Sequence, residues 1–324
     1  MRVSVVIPCH NEENVGKCID SVLCSEYGEV EIIVVDDGST DGTPSICKPY
    51  SDRNLIKYLR RSERGGPAKA VNLGAKAASG LIIAVLNADS IAPSNWIRKA
   101  TEHFLSDGNV IAVGGPLKTS TKTYWSLCGE KLDQLLLGPR LTLSPLHGTN
   151  MFVRANVLQA LGFLNNNLDV GEDLDLSLRL LSYSKRTAGR VVFDHDLVVF
   201  TDYPSTLWNV AKRHFWWGKG RARVLSKIGK LKIQAWPRVL YVPLIVGLTS
   251  ATFLSLKLRL VSAIFALSLI GIIAAPLVVL TSRLVLKASA QQVNVSEILG
   301  LIILSYVRVI SGSVGSVWAL FRRR

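Results

Sequence analysis

Six acidic residues in three short stretches have the type and placement to do chemistry. In IIVVDDGSTDGT (residues 32–43), four branched apolar residues run directly into Asp36 and Asp37. In LNADS (86–90), an apolar run ends in Asn87, Ala88 and Asp89, and GEDLDLSLRL (171–180) opens with Glu172 and Asp173, with Asp175 close behind. A carboxylate offers acceptor oxygens to N–H and hydroxyl donors, takes hard divalent cations, and accepts protons in catalysis. A lone Asp after a strand ordinarily caps the next helix, and acids in a first helical turn complement the macrodipole. Three strand-end carboxylates, Asp36, Asp37 and Asp89, converging on one rim exceed what capping requires.

The elements that must hold them alternate. Val3–Ile7, Glu31–Val35, Leu55–Leu59, Leu81–Leu86, Val110–Gly114 and Arg190–Phe193 read as strands. Helical patterns occupy Glu12–Ser25, Thr43–Pro49, Pro67–Ala78, Ser94–Ser106 and Leu174–Ser182. Near-continuous apolar strands alternating with helices predict a mostly parallel α/β sheet covered on both faces, with its ligand site at the strands' carboxyl ends. A dinucleotide site of the G-x-G-x-x-G kind is excluded, because PCHNEE (8–13) follows the first strand.

Charge divides the chain. Residues 1–202 carry 21 Lys and Arg against 23 Asp and Glu, whereas residues 203–324 carry 17 against 1. The basic excess borders apolar runs, which points to a membrane and phosphate-bearing partners rather than nucleic acid. Leu207–Trp236 interleaves Trp and Phe with basic residues and reads as an amphipathic interfacial helix region, bounded here at 206–238. Beyond it, residues 239–256, 260–280 and 298–321 have the length of membrane spans. Three spans are expected, although two spans and a surface-lying third helix would keep Arg322–Arg324 on the cytoplasmic side. Gly312, Ser313, Gly315 and Ser316 suit close helix packing. Five cysteines without CxxC spacing read as core residues in a reducing compartment. The short apolar run in MRVSVVIP reads as a strand, not a signal peptide, which places the globular part (1–205) in the cytoplasm of a multi-pass membrane protein.

VSVVIPCHNEE, IIVVDDGSTDGT, LNADS and GEDLDLSLRL, in this order, resemble glycosyltransferase family 2 over about residues 1–220. The resemblance implies a GT-A fold (Rossmann-like, mostly parallel), a nucleotide-diphosphate sugar donor and inversion at the anomeric carbon. It assigns Pro8, His10, Glu12 and Asp37 or Asp36 to the nucleoside, and Lys69 in ERGGPAKAVNLG to a phosphate. The family's DxD motif maps onto Asn87-Ala88-Asp89, with Asp89 the ligand of Mn2+ or Mg2+ and Asn87 a carbonyl donor at most. Its ED motif makes Asp173 the general base beside Glu172, and like charge from Glu172 and Asp175 is expected to raise the Asp173 pKa. HGTNMFVR (147–154) resembles the acceptor-side segment, with His147, Thr149 and Asn150 bonding a sugar. Arg213-His214-Phe215-Trp216-Trp217 resembles Q/RxxRW with Trp216 where Arg is expected. Arg213 and, in place of the missing Arg, Lys212, Lys219 or Arg221 would then meet phosphate, and Trp217 would stack on a sugar. Arg308, a charge inside an apolar run, is expected at a lipid phosphate.

Together these imply transfer of one hexose, mannose from GDP-mannose first and a UDP-sugar next, to a lipid-linked saccharide acceptor at the cytoplasmic face. The alternatives are a polyprenol-phosphate sugar synthase and a non-catalytic membrane scaffold with a degenerate transferase domain.

Overall fold

The computed structural model describes residues 1–136, 146–227, 281–282, 285 and 293–321. The expected spans at 239–256 and 260–280 lie outside the described residues. The chain divides into two compact units, one of Met1–Thr121 with Pro139–Asp202, the other of Lys122–Gly138 with Tyr203–Arg324.

The first unit is built on a seven-stranded sheet. Its strands are β1 (Val3–Cys9), β2 (Val30–Asp36), β3 (Lys57–Arg60), β4 (Ile82–Val85), β6 (Val110–Gly114), β8 (Met151–Arg154) and β9 (Arg190–Phe193), ordered β3-β2-β1-β4-β8-β6-β9. All neighbours are parallel except β8, which runs against both β4 and β6. A second sheet joins β5 (Ser90–Ile91), β10 (Val199–Thr201) and β7 (Leu117–Thr119) in that order. Alternation along β1 and β2 separates two cores. Val5, Ile7, Ile32 and Val34 face α1 (Val15–Leu23), α2 (Thr43–Asp52) and α4 (Trp96–Ser106). Val6, Ile33 and Val35 face α3 (Pro67–Ala77), α6 (Ala155–Ala160) and α7 (Glu172–Thr187). Each such buried Val or Ile is worth about 1.5–3 kcal/mol. Four of the five cysteines are buried as expected; Cys24 is exposed.

Register fixes the functional rim. Cys9 pairs with Asp36, Val6 with Val85, and Val85 with Met151. The residues following β1, β2 and β4, and those preceding the antiparallel β8, therefore share one edge of the sheet.

The second unit contains α5 (Tyr124–Leu136), α8 (Leu207–Lys227) and α9 (Val295–Phe321). Cys128, Leu132, Leu135, Val210, Leu301 and Leu304 form its apolar core. Within this unit α8 and α9 meet through backbone. A Cβ on Gly218 would stand 1.9 Å from the Gly312 carbonyl, and one on Gly315 would stand 1.9 Å from the Phe215 carbonyl. Ser316 Oγ donates to the Gly218 carbonyl at 3.0 Å. Small residues thus bring the two helices into van der Waals contact. Gly315→Val is expected to destabilise this unit by about 1–3 kcal/mol, read as a lower melting temperature of the detergent-solubilised protein. Among the described residues one helix, over Val295–Ala319, is long and apolar enough to cross a membrane.

Candidate active site

Asp36 and Asp37 end β2 with different fates. Asp36 is fully buried: Oδ1 accepts the Ser39 N–H at 2.7 Å and Oδ2 the Tyr58 hydroxyl at 2.6 Å. That corrects the expected nucleoside contact for Asp36, whose oxygens face inward and fold the loop. Asp37, 3% exposed, gathers the opposite loop. Its carboxylate accepts Arg61 Nη1 at 2.8 Å and the Gly65 and Gly66 N–H groups at 3.0 and 2.7 Å. Gly38 makes this approach possible: its φ is +73°, and a Cβ there would meet the Glu63 carbonyl carbon at 2.8 Å. His10 Nδ1 lies 3.0 Å from the Asp37 carbonyl and must donate to it, since a carbonyl only accepts. Asn11, at φ 52°, bonds Ser39 Oγ and the Thr40 N–H, and the Glu12 N–H donates to Thr43 Oγ1. Pro8, His10 and Glu12, all half-buried, thereby line the edge of the DDGSTDG loop. Lys69 is exposed on the first turn of α3.

Past β4, Asn87 is exposed, Ala88 buried and Asp89 half-buried. Among the described residues no group of three or more His, Cys, Asp or Glu side chains is arranged to hold a metal ion. One half-buried carboxylate with a neutral amide nearby fits a divalent cation that takes its remaining oxygens from a substrate diphosphate and water, the usual habit of Mg2+.

The turn before β8 connects this loop to α7. His147 and Asn150 form a bridge, and Gly148 N–H donates to Asp173 Oδ2 at 3.3 Å. Thr149 Oγ1 accepts the Asn87 N–H at 2.9 Å, so the LNADS loop and Asp173 border the same four-residue turn, itself on the rim that carries Asp37. Asn150 is fully buried: Oδ1 accepts Trp96 Nε1 at 2.9 Å while Nδ2 donates to the Pro116 and Leu197 carbonyls at 3.2 and 2.6 Å. This corrects its expected sugar contact, because its side chain fastens the turn. Thr149 is 5% exposed, and His147 is the half-buried member that remains accessible.

At the α7 terminus Asp175 is matched by Arg179, 2.7 Å away. Burial, and secondarily the Asp173 charge, push the Glu172 carboxyl up to about 7. The folded state therefore binds a proton between about pH 4.5 and 7 that the unfolded state releases. That contribution to stability is complete below pH 4.5 and lost as pH rises through 7. Glu172→Gln, neutral throughout, is expected to be more stable than the parent at pH 8 by roughly 1–3 kcal/mol and equal to it at acidic pH, measured by thermal melts at both values.

Arg213, Trp217, Lys219, Arg221 and Arg308 belong to the second unit. On α8, exposed Trp208, Trp216 and Trp217 stand under the cations of Lys212, Lys219 and Arg213 at 5.3, 4.4 and 5.1 Å. Arg221 is exposed on the same helix. Arg308, expected at a lipid phosphate, is held by protein instead. Its Nη1 lies 2.5 Å from Asp133 Oδ1 and Nη2 3.2 Å from the Gly129 carbonyl, and Asp133 Oδ2 accepts the Tyr203 hydroxyl at 3.0 Å. A charge in an apolar helix requires such a partner. Burial, with the nearby Arg308 cation second, holds the His214 imidazole down to about 3 and therefore neutral.

Comparison with known proteins bears on this arrangement. Residues 4–158 match glycosyl transferase family 2, and residues 82–286 match glycosyl transferase family group 2. Glycosyltransferase AglE of Haloferax volcanii is 29% identical over 74% of this chain and 81% of its own length. An uncharacterized glycosyltransferase of Rickettsia prowazekii is 31% identical over 61% of this chain, which spans 62% of that relative. The mannosyltransferase PcManGT from Pyrobaculum calidifontis, solved with GDP-Man and Mn2+, superposes with a TM-score of 0.63 at 17% identity, covering 100% of this chain and 88% of its own.

Proposed function

The chain belongs to glycosyltransferase family 2, and from that premise we propose that it transfers a single hexose, with inversion, from a nucleotide-diphosphate sugar to a lipid-linked saccharide at the cytoplasmic membrane face. GDP-mannose is the donor proposed first; a fold neighbour holding GDP-Man and Mn2+ supports it, and a UDP-sugar is the alternative. The observation that carries the reading is the shared turn of residues 147–150, which borders both the Asp89 loop and Asp173.

Pro8, His10, Glu12 and the loop that Asp37 gathers enclose the nucleoside, and Lys69 meets phosphate. Asp89, with Asn87 beside it, would hold a divalent cation, which neutralises charge on the departing diphosphate when bound. Asp173 takes the proton of the acceptor hydroxyl. That oxygen bonds to the anomeric carbon as the sugar–phosphate bond breaks on the opposite face, and its electron pair leaves with the nucleoside diphosphate. Glu172, carrying a proton near neutrality, spares Asp173 a second adjacent anion. His147 orients the acceptor. The exposed tryptophans of α8, Trp217 among them, and its cations Arg213, Lys219 and Arg221 suit the headgroup layer and its phosphates, and α9 suits the bilayer.

The second reading, a polyprenol-phosphate sugar synthase, shares the donor chemistry and differs in acceptor. Purified protein is incubated with Mn2+ and radiolabelled GDP- and UDP-sugars, with polyprenyl phosphate or a polyprenyl-diphosphate saccharide. Label extracted into organic solvent only with the saccharide acceptor supports the first reading; label on polyprenyl phosphate alone supports the second. Absence of donor use under every condition would leave the scaffold reading.

A further inference from the structure

We infer that Thr149 is a positioning residue that holds the cation-binding carboxylate Asp89 at a set place relative to Asp173, instead of a contact for the acceptor sugar. The inference rests on the donor reading above. Thr149 Oγ1 accepts the Asn87 N–H at 2.9 Å and lies 3.0 Å from Ser90 Oγ, which is 3.1 Å from Asp89 Oδ1. Proton counting orients the whole chain. A carboxylate oxygen accepts, so the Ser90 hydroxyl donates to Asp89; Ser90 Oγ then accepts from Thr149, whose own oxygen accepts from the Asn87 N–H. The series Asn87 N–H, Thr149 O–H, Ser90 O–H, Asp89 carboxylate runs in one direction without conflict, and hydrogen bonds so linked polarise one another.

Burial makes the series consequential. Ser90 is fully buried and Thr149 only 5% exposed, so solvent is poorly placed to replace either hydroxyl. The other side of the turn is equally committed. Gly148 N–H donates to Asp173 Oδ2 at 3.3 Å, Asn150 N–H closes on the His147 carbonyl at 3.0 Å, and the Asn150 side chain is fastened by three further bonds. A rigid turn therefore grips the donor-side carboxylate through Thr149 and the proton acceptor through Gly148. Threonine is suited to this position because it combines a hydroxyl that both donates and accepts with a methyl group that fills buried space.

Thr149→Val keeps the shape and removes the hydroxyl; Thr149→Ser restores the hydroxyl. Mn2+ binding is followed by loss of the free-ion electron paramagnetic resonance signal in the presence of GDP or UDP, whichever raises the parent's melting temperature. Thr149→Val is expected to raise the Mn2+ dissociation constant at least tenfold, and Thr149→Ser to recover it to within threefold. Ser90→Ala, which spares the bond to Asn87, should fall between them and covers the case in which the valine variant does not fold. An unchanged Mn2+ constant in Thr149→Val or, if that variant is unfolded, in Ser90→Ala overturns the inference, as does a serine variant as impaired as the valine one. A parent protein that takes up no Mn2+ with either nucleotide refutes the donor reading itself, a result distinguishable without any variant.

Discussion

Asp173→Asn is expected to lower the rate of sugar transfer by about 10²–10⁴-fold, the usual worth of a positioned general base, while leaving nucleotide-sugar affinity unchanged. The amide nearly matches the carboxylate in size, so the α7 terminus and its packing should survive. What would be lost is the proton acceptor proposed for the incoming hydroxyl. The expected signature is a fall in kcat with a donor dissociation constant within about twofold of the parent by calorimetry, because the step affected follows binding. Slow hydrolysis of the donor by water, which draws less on this base, should persist better than transfer. A variant that transfers sugar at the parental rate would remove Asp173 from the chemistry.

Asp89→Ala is expected to act earlier and on both reactions. Its carboxylate is the acid at the LNADS loop, and no cluster of three metal-binding side chains compensates among the described residues. Donor hydrolysis and transfer should both fall by about 10³-fold or more, in line with several kcal/mol of charge stabilisation supplied at a metal site. Raising Mn2+ should recover little, whereas Asp89→Asn should recover part of the loss at high Mn2+. Activity curves against Mn2+ concentration for the parent and both variants check this. Identical curves for parent and alanine variant would place the cation elsewhere.

Much of the rim was legible because a parallel strand buried on both faces leaves an apolar run with a polar stop. β2 ends where IIVV meets Asp36, and β4 ends at Val85, two residues before Asn87. Helix ends were harder. α7 runs on to Thr187 instead of stopping near Ser182, and α1 begins at Val15 after a loop committed to bonds with Ser39 and Thr43. The antiparallel strand β8 is not readable from pattern: MFVR is four residues long and lies inside a segment that resembles the acceptor side. Its partners, Val85 and Gly114, are far away in sequence. Pattern shows which residues are chemical and says less about which way they face. Adjacent acids in DDGSTDG serve different loops, since Asp36 meets Tyr58 and Asp37 meets Arg61. Asn150 looks like a sugar ligand until its three bonds to Trp96, Pro116 and Leu197 are counted. Arg308 looked like a lipid contact because Asp133 precedes it by 175 residues. The glycines and serines of α9 were readable as packing surface; that α8 is their partner was not.

Asp89 is expected to receive a divalent cation only together with a sugar nucleotide's diphosphate, on the rim shared with Asp173. Anomalous diffraction from crystals of the full chain grown with Mn2+, with and without GDP or UDP, measures this directly. A manganese peak is expected at coordination distance from Asp89 when nucleotide is present, and no peak there with Mn2+ alone. A nucleotide-bound crystal whose manganese lies away from Asp89, or whose rim holds no nucleotide between the Asp37 loop and Asp173, would contradict it.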